Sequence, residues 1–160
     1  MEIPDWPRWE PQMRATLLFV RRGDEVLLIR KKRGLGVGKI NAPGGKIEPG
    51  ESISNSALRE TREEVGLVAA NPEKMGELHF HFADGLALHC TVFQTRDFTG
   101  TAIETEEAIP FWCPVGEIPY GEMWADDAHW LPPMLAEGRK FRGYFTFDGD
   151  RMHSHDVRPL

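Results

Sequence analysis

Cysteine is scarce in this chain. Cys90 and Cys113 are far apart and form no CxxC pair, so they offer no disulfide framework. A reducing, cytoplasmic setting is the expectation that follows. Long apolar runs are missing too: the longest, Ala15 to Val20, falls far short of the roughly 20 residues a spanning helix needs. The stretch from Met1 to Pro11 lacks the basic opening of a signal peptide. Membrane and secreted classes drop out of the reading. Positive charge is the third shortage. Against 25 Asp and Glu stand 19 Lys and Arg, a net charge of -6, which disfavours a broad face for nucleic-acid polymers. If the ligand is an anion, something local must reverse the sign.

The chain does have length enough for one core, since about 160 residues bury roughly 68–70% of their unfolded surface. No repeat, low-complexity stretch or linker interrupts it, so a single self-sufficient domain over 14–160 is expected, as a monomer, with an extension over 1–13. Arg14 to Val20 and Glu25 to Arg30 read as strands of a hairpin around Arg21-Arg22-Gly23-Asp24. Between Arg33 and Lys46, the residues Gly34, Gly36, Gly38, Pro43, Gly44 and Gly45 exclude a regular helix and predict a loop of unusual backbone shape. A helix is predicted to start on Ser52 as N-cap and to stop at Gly66. Gly76 to Phe82 and Leu86 to Thr95 form a second hairpin about Asp84-Gly85, followed by a short strand near Phe111 to Pro114. A second helix, Asp126 to Glu137, is expected to be interrupted or bent at Pro132-Pro133, before a last strand from Lys140 to Phe147. The fold class implied is α+β, an α/β/α sandwich about a mixed sheet.

The first helix carries carboxylates on the wrong side. With Glu60 at zero and about 100° per residue, Ile53, Ala57, Thr61 and Val65 form an apolar stripe, and Glu64 lands at roughly 40° inside it. Glu60, Glu63 and Glu64 share an arc of about 100°, where like charges repel and at least one is desolvated. Arg59 stands i to i+4 from Glu63, but one guanidinium does not neutralise three carboxylates. A divalent ion would. Hard oxygen donors with an incomplete protein shell favour Mg²⁺ or Mn²⁺, completed by water and substrate phosphate. The competing reading is a solvated helix face paired with Arg59 and Arg62.

A wider pattern decides between them. Gly45, Glu51, Arg59-Glu60, Thr61, Glu63-Glu64, Gly66 and Leu67 reproduce G-x5-E-x7-R-E-U-x-E-E-x-G-U, where U is bulky and apolar, and by this the chain resembles the Nudix hydrolases. Thr61 departs from the aliphatic residue usual at its position. Beyond the box, Arg30 to Gly38, Asn41, Trp124 with Asp126-Asp127, and Arg139 to Phe147 resemble the MutT-like oxidised purine nucleoside triphosphatases of animals within that family. The resemblance implies a Nudix fold and Mg²⁺-dependent hydrolysis, with Mn²⁺ as substitute. Its substrates would be purine nucleoside triphosphates such as 8-oxo-dGTP or 2-hydroxy-dATP, its products a nucleoside monophosphate and pyrophosphate. It implies metal ligands at Gly44, Glu60, Glu63, Glu64 and Glu107, with Arg59 beside the glutamates in the catalytic set. It implies a substrate pocket of Thr16, Lys31, Leu35, Asn41, Pro43, Gly44, Gly45, Lys46, Phe80, Trp124, Asp126 and Asp127. Leu35, Ile40 and Pro43 replace aromatic residues of the animal pattern, so a differently shaped pocket floor is expected.

Each assignment has a plainer alternative. Trp124 and Phe80 either stack on a purine or fill the core. Asn41 reads a base edge with its donor and acceptor, or serves as a turn residue. Asp126 and Asp127 either cap the second helix or face a base as a pair that shares a proton. Lys31 supplies positive field beside the glycine loop or belongs to a solvated run with Arg30, Lys32 and Arg33. His79 and His81 share a strand face without ligand partners and read as surface or pocket-wall residues. Two rival functions remain: a Nudix hydrolase of dinucleoside polyphosphates or nucleotide sugars, and a non-catalytic nucleotide-binding module on the same fold.

Overall fold

The computed structural model describes residues 1–160. Eleven strands and two α-helices alternate as β1 (Met13–Arg22), β2 (Glu25–Lys31), β3 (Ile40–Asn41), β4 (Gly44–Lys46), α1 (Ile53–Val65), β5 (Val68–Ala70), β6 (Glu73–Phe82), β7 (Ala87–Thr95), β8 (Asp97–Thr99), β9 (Ala108–Pro114), α2 (Asp127–Glu137), β10 (Phe141–Asp148) and β11 (Arg151–Pro159). The main sheet runs β11-β10-β6-β7-β1-β2-β3, with β4 on β1 and β9 on β2; β5 and β8 form a separate ribbon. It is mixed, because β1 runs parallel to β7 and β10 parallel to β6 while its other ladders are antiparallel.

Alternation along the strands sorts the core into two layers. Leu18 and Val20 of β1 join Leu27, Ile29 and Phe93 beneath Ala57 and Val65 of α1. Phe19, between them in sequence, joins Leu28, Phe141 and Phe145 beneath Trp130, Leu131 and Met134 of α2. The α/β/α sandwich follows directly from that period. No helix is long and apolar enough to cross a membrane.

The expected first hairpin closes only at its turn. Arg21 pairs with Val26 and Arg22 with Glu25, after which β1 turns to β4 and β7, and β2 to β3 and β9. The two strands therefore part and leave room for a cavity. The glycine segment expected as a loop contains β3 and β4, because Gly44 and Gly45 let backbone approach backbone closely enough for a ladder on β1. The ribbon strands β5 and β8 and the edge strand β11 lie outside the predicted elements; β11 is mostly polar, with only Met152 and Val157 packed against the core and no apolar alternation to announce it. Helix α2 is not interrupted at Pro132-Pro133 and runs on to Glu137, ending on left-handed Gly138.

The segment before β1 is packed. Leu78 and Phe80 face the α2 layer, while His79 and His81 face the α1 side, where β6 and β10 lie beyond the helix's reach. Trp6 and Trp9 cover that gap. Trp6 lies 5.2 Å from Tyr144 and Trp9 lies 5.6 Å from His79 between ring centroids, with His79 stacked on Tyr144 at 4.5 Å. Trp9 Nε1 donates to His81 Nδ1 at 3.1 Å, and the Gln12 amide donates to the Ala87 carbonyl at 2.8 Å. Trp9→Ala is expected to lower stability by about 1–2 kcal/mol, one part-buried aromatic contact and one hydrogen bond. A urea midpoint shifted downward at constant m-value is the expected result, and an unmoved midpoint contradicts the packing.

Candidate active site

Helix α1 is fixed at both ends before its side chains matter. The Ser52 side chain accepts from the Asn55 amide, and Gly66 takes φ 74°, the left-handed stop that glycine tolerates. Its inner face holds Ala57, Thr61 and Val65, with the Thr61 hydroxyl satisfied by the Ala57 carbonyl at 2.8 Å. Ile53, expected on that stripe, is 46% exposed, in the first turn directly after the cap, and the buried stripe begins at Ser56 and Ala57. Glu64 is 6% exposed, as its angle on the wheel requires.

The glycine pair explains how acid meets sheet. A Cβ on Gly44 would overlap the Thr16 carbonyl, and one on Gly45 would overlap the Glu60 carboxylate. Without side chains at both positions, α1 lies directly on β4. Oxygens of Glu60, Glu64 and Glu107 come within 4.8 Å of one another there. Thr105 braces the set: its hydroxyl donates to the Glu64 carbonyl at 2.6 Å and accepts from the Glu107 amide at 3.1 Å. Burial, then the neighbouring Glu60 charge, pushes the Glu64 carboxyl up to about 8. Burial also raises Glu60, against the hydrogen bond from Arg59.

Arg59 organises the cluster's outer side. It donates to Glu51 at 2.6 and 3.0 Å, to Glu60 at 2.9 Å, to Glu63 at 3.1 Å and to the Lys46 carbonyl at 3.1 Å. That fork holds the Glu51 carboxyl down at about 2. Glu63 is turned outward to Arg59, its side chain 52% exposed, and stands apart from the other three acids. Glu107 keeps a 2.9 Å pair with Arg33.

One cavity fills the space between the parted strands. Thr16, Lys31, Leu35, Asn41, Gly44, Gly45, Lys46, Glu64, Phe80, Trp124, Asp126 and Asp127 all line it. Of the expected pocket residues only Pro43 is left out; it is buried in the turn before β4, its carbonyl accepting from the Leu18 amide at 2.9 Å. Sequence reasoning missed Leu78, Phe82, Leu88, Cys90 and Phe147, which form the apolar wall. The alternation Leu78, Phe80, Phe82 was a signal for them, since one member of such a row brings the others to its face.

Asp126 and Asp127 line the cavity at the start of α2. Asp126 has no capping hydrogen bond, and its backbone is already helical. At 1% and 3% exposure both carboxyls are buried instead. Asp126 Oδ2 accepts from Trp130 Nε1 at 2.9 Å, while Asp126 Oδ1, Asp127 Oδ2 and Thr16 Oγ1 have no partner. Polar atoms left unpartnered on the wall of an apolar cavity are free to bond a ligand or water that enters it. Burial raises the Asp126 carboxyl to about 6 and, with the Asp126 charge beside it, raises Asp127 well above the usual range. Folded-state values above the unfolded ones give stability that is full below about pH 4 and is lost as pH rises through the folded values. Asp127→Asn, neutral at every pH, should therefore raise Tm at pH 8 by roughly 2–4 °C and flatten the parent's decline between pH 4 and 8. Calorimetry across that range checks it, and parallel curves for the two proteins contradict it.

The NUDIX domain family matches residues 11–134. An oxidized purine nucleoside triphosphate hydrolase from Danio rerio is 41% identical over 143 residues, 89% of this chain and 88% of that protein. The Mus musculus protein of the same name is 39% identical over 147 residues, 91% of this chain and 94% of its own length. Among solved structures, a MutT protein from Bacillus halodurans superposes with a TM-score of 0.83 at 30% identity, covering 92% of this chain and 99% of the other. With the glutamate helix, its glycine seat and the cavity in place, the chain belongs to the Nudix family, as one of its pyrophosphohydrolases.

Proposed function

We propose that the protein hydrolyses the α–β phosphoanhydride of oxidised purine nucleoside triphosphates, 8-oxo-dGTP or 2-hydroxy-dATP among them, in the cytoplasm and as a monomer. Such a reaction sanitises the nucleotide pool. The observation that carries the reading is one cavity lined by two chemically different sets of groups. Glu64, Gly44, Gly45 and Lys46 form one, and the unpartnered Asp126-Asp127 carboxyls with Asn41, Phe80 and Trp124 the other. A nucleotide, with its phosphates and its base, calls for both. Relatives named as oxidized purine nucleoside triphosphate hydrolases align over most of the chain, which favours that substrate over dinucleoside polyphosphates or nucleotide sugars.

Glu60, Glu64 and Glu107 suit a hard divalent ion, since they offer oxygen only and are crowded enough to need a cation between them. Mg²⁺, or Mn²⁺ in its place, neutralises phosphate charge when bound and lowers the pKa of a bound water. The Gly44 carbonyl is proposed to complete the ligand set. Glu63, with its exposed carboxylate, is proposed either as a further ligand to the ion or, as the alternative to Glu64, as the base that takes the water's proton. Arg59 holds Glu60 and Glu63 in place. Lys31 lines the cavity and places a positive charge beside Glu64, supplying the local sign reversal a triphosphate needs. The reaction balances simply: water adds to one of the two phosphorus atoms of the α–β anhydride, its proton passes to the base, the bridging P–O bond breaks, and nucleoside monophosphate and pyrophosphate separate.

In the second set Phe80 and Trp124 sandwich the base, an effect worth about 1–3 kcal/mol per base. The acid pair reads its edge. With one proton held between them, Asp126 and Asp127 present one donor and one acceptor, and exchanging the proton exchanges the pattern. That suits oxidised purines, whose edges differ in donor and acceptor order. Residues 14–160 act as the catalytic domain, and 1–13 as an extension whose Trp6 and Trp9 pack behind the cavity wall.

A pyrophosphate-release screen with Mg²⁺ decides the matter. The parent should favour 8-oxo-dGTP or 2-hydroxy-dATP over dGTP and dATP by at least about tenfold in kcat/KM, roughly 1.4 kcal/mol. Glu64→Gln should lose on the order of 10²-fold or more in kcat while remaining folded. Equal rates on all four nucleotides sink the oxidised-base reading; near-parental turnover in Glu64→Gln sinks the metal site.

A further inference from the structure

Trp124 is gripped by two residues of the glycine loop, Gly36 and Lys39, that do not themselves line the cavity. Gly36, at φ 78°, brings its backbone against the indole, where a Cβ would stand 2.7 Å from Nε1. Lys39 Nζ lies 5.1 Å from the centroid of the same ring, within cation–π range. Lys39 is tethered in turn by Asp150, 3.6 Å away on the turn between β10 and β11. Arg30 fixes both sides of the grip, donating to the Gly38 carbonyl at 2.9 Å and to Glu122 at 2.9 Å, two residues before Trp124. Phe147 and Phe82 meet the indole edge-on at 5.3 and 6.0 Å. Trp124 lines the cavity and Lys39 does not, so the charge reaches the ring from outside it.

We infer that Lys39 is a specificity-determining residue, positioning Trp124 and lending its ring a positive field that favours neutral, electron-rich purines over bases carrying a positive charge. The inference rests on the proposed stacking of a base on Trp124. A cation over an indole binds the ring's negative face and draws on its electron density. An uncharged, oxygenated purine stacked in the cavity gains from that field. A purine alkylated at N7, with a cationic imidazolium ring, is repelled by it. Leu35 in the same loop offers no ring to share the stacking, so the state of Trp124 carries more of the selectivity here.

Lys39→Met keeps the stem and removes the charge, and Lys39→Arg keeps the charge. Measured with 8-oxo-dGTP and N7-methyl-dGTP, Lys39→Met should raise KM for the first about fivefold with kcat unchanged. It should also narrow the kcat/KM ratio between the two by about tenfold. Lys39→Arg should restore both, and Asp150→Asn should show a smaller loss in the same direction. The emission of Trp124, taken as the difference between each protein and its Trp124→Phe version, should change in Lys39→Met and not in Lys39→Arg. Trp124→Ala separates the two layers of argument. If Trp124→Ala leaves KM unchanged, stacking itself fails; if it raises KM while Lys39→Met moves neither ratio nor emission, the inference about Lys39 fails alone.

Discussion

Everything at the catalytic end follows from forcing three carboxylates into one place. Glu60 and Glu64 come from a helix seated on bare glycine backbone, and Glu107 from the segment before β9. Left to themselves such groups repel and take up protons, which is the direction in which Glu64 and Glu60 move. The fold accepts that cost because the surrounding structure over-determines it. Arg59 clamps the outer carboxylates, Thr105 braces the inner ones, and the Ser52 cap and Gly66 stop prevent the helix from sliding. An acidic protein thereby gathers oxygen donors suited to a divalent cation, and on the proposed function that cation is what an anionic triphosphate meets.

The second requirement is room, and it arises from strand pairing. Because β1 and β2 hold together only beside their turn, β3 and β4 enter between them and the cavity opens there. Its apolar wall combines the inward row of β6 with Leu88 and Cys90 of β7 and Phe147 of β10; the outward row of β6 is held by Trp6 and Trp9. The same strand pair serves both sets of groups: Thr16 on β1, which lines the cavity with the aspartate pair, is paired with Gly45 on β4, the seat of the Glu60 carboxylate.

Much of this was legible in the residues, for definite reasons. Helix α1 announced itself through cap, stop and period, and Glu64's angle on the wheel foretold its burial. The α/β/α layering followed from strand alternation. Long-range pairing was less legible: the parallel partner of β1 is β7, distant in sequence, and no local signal names it. Glycines that argued for a loop formed a ladder, because the absence of a side chain serves close backbone approach as well as turning. Pro43 left the cavity and Glu63 left the acidic cluster for the same reason: a motif fixes spacing, while the direction of a side chain depends on a neighbour such as Arg59. The grip of Gly36 and Lys39 on Trp124 joins residues far apart in the chain, and it appears only once the fold brings them together.

The central claim is that a desolvated, proton-holding Glu64 gives way to a metal ion. Mg²⁺ titrated calorimetrically at pH 7, in buffers of different ionisation enthalpy, measures binding and proton release together. The account predicts that the parent binds Mg²⁺ and releases a sizeable fraction of a proton per ion, and that Glu64→Gln binds more weakly without release. Equal affinity in both proteins, with no proton released by either, would contradict it.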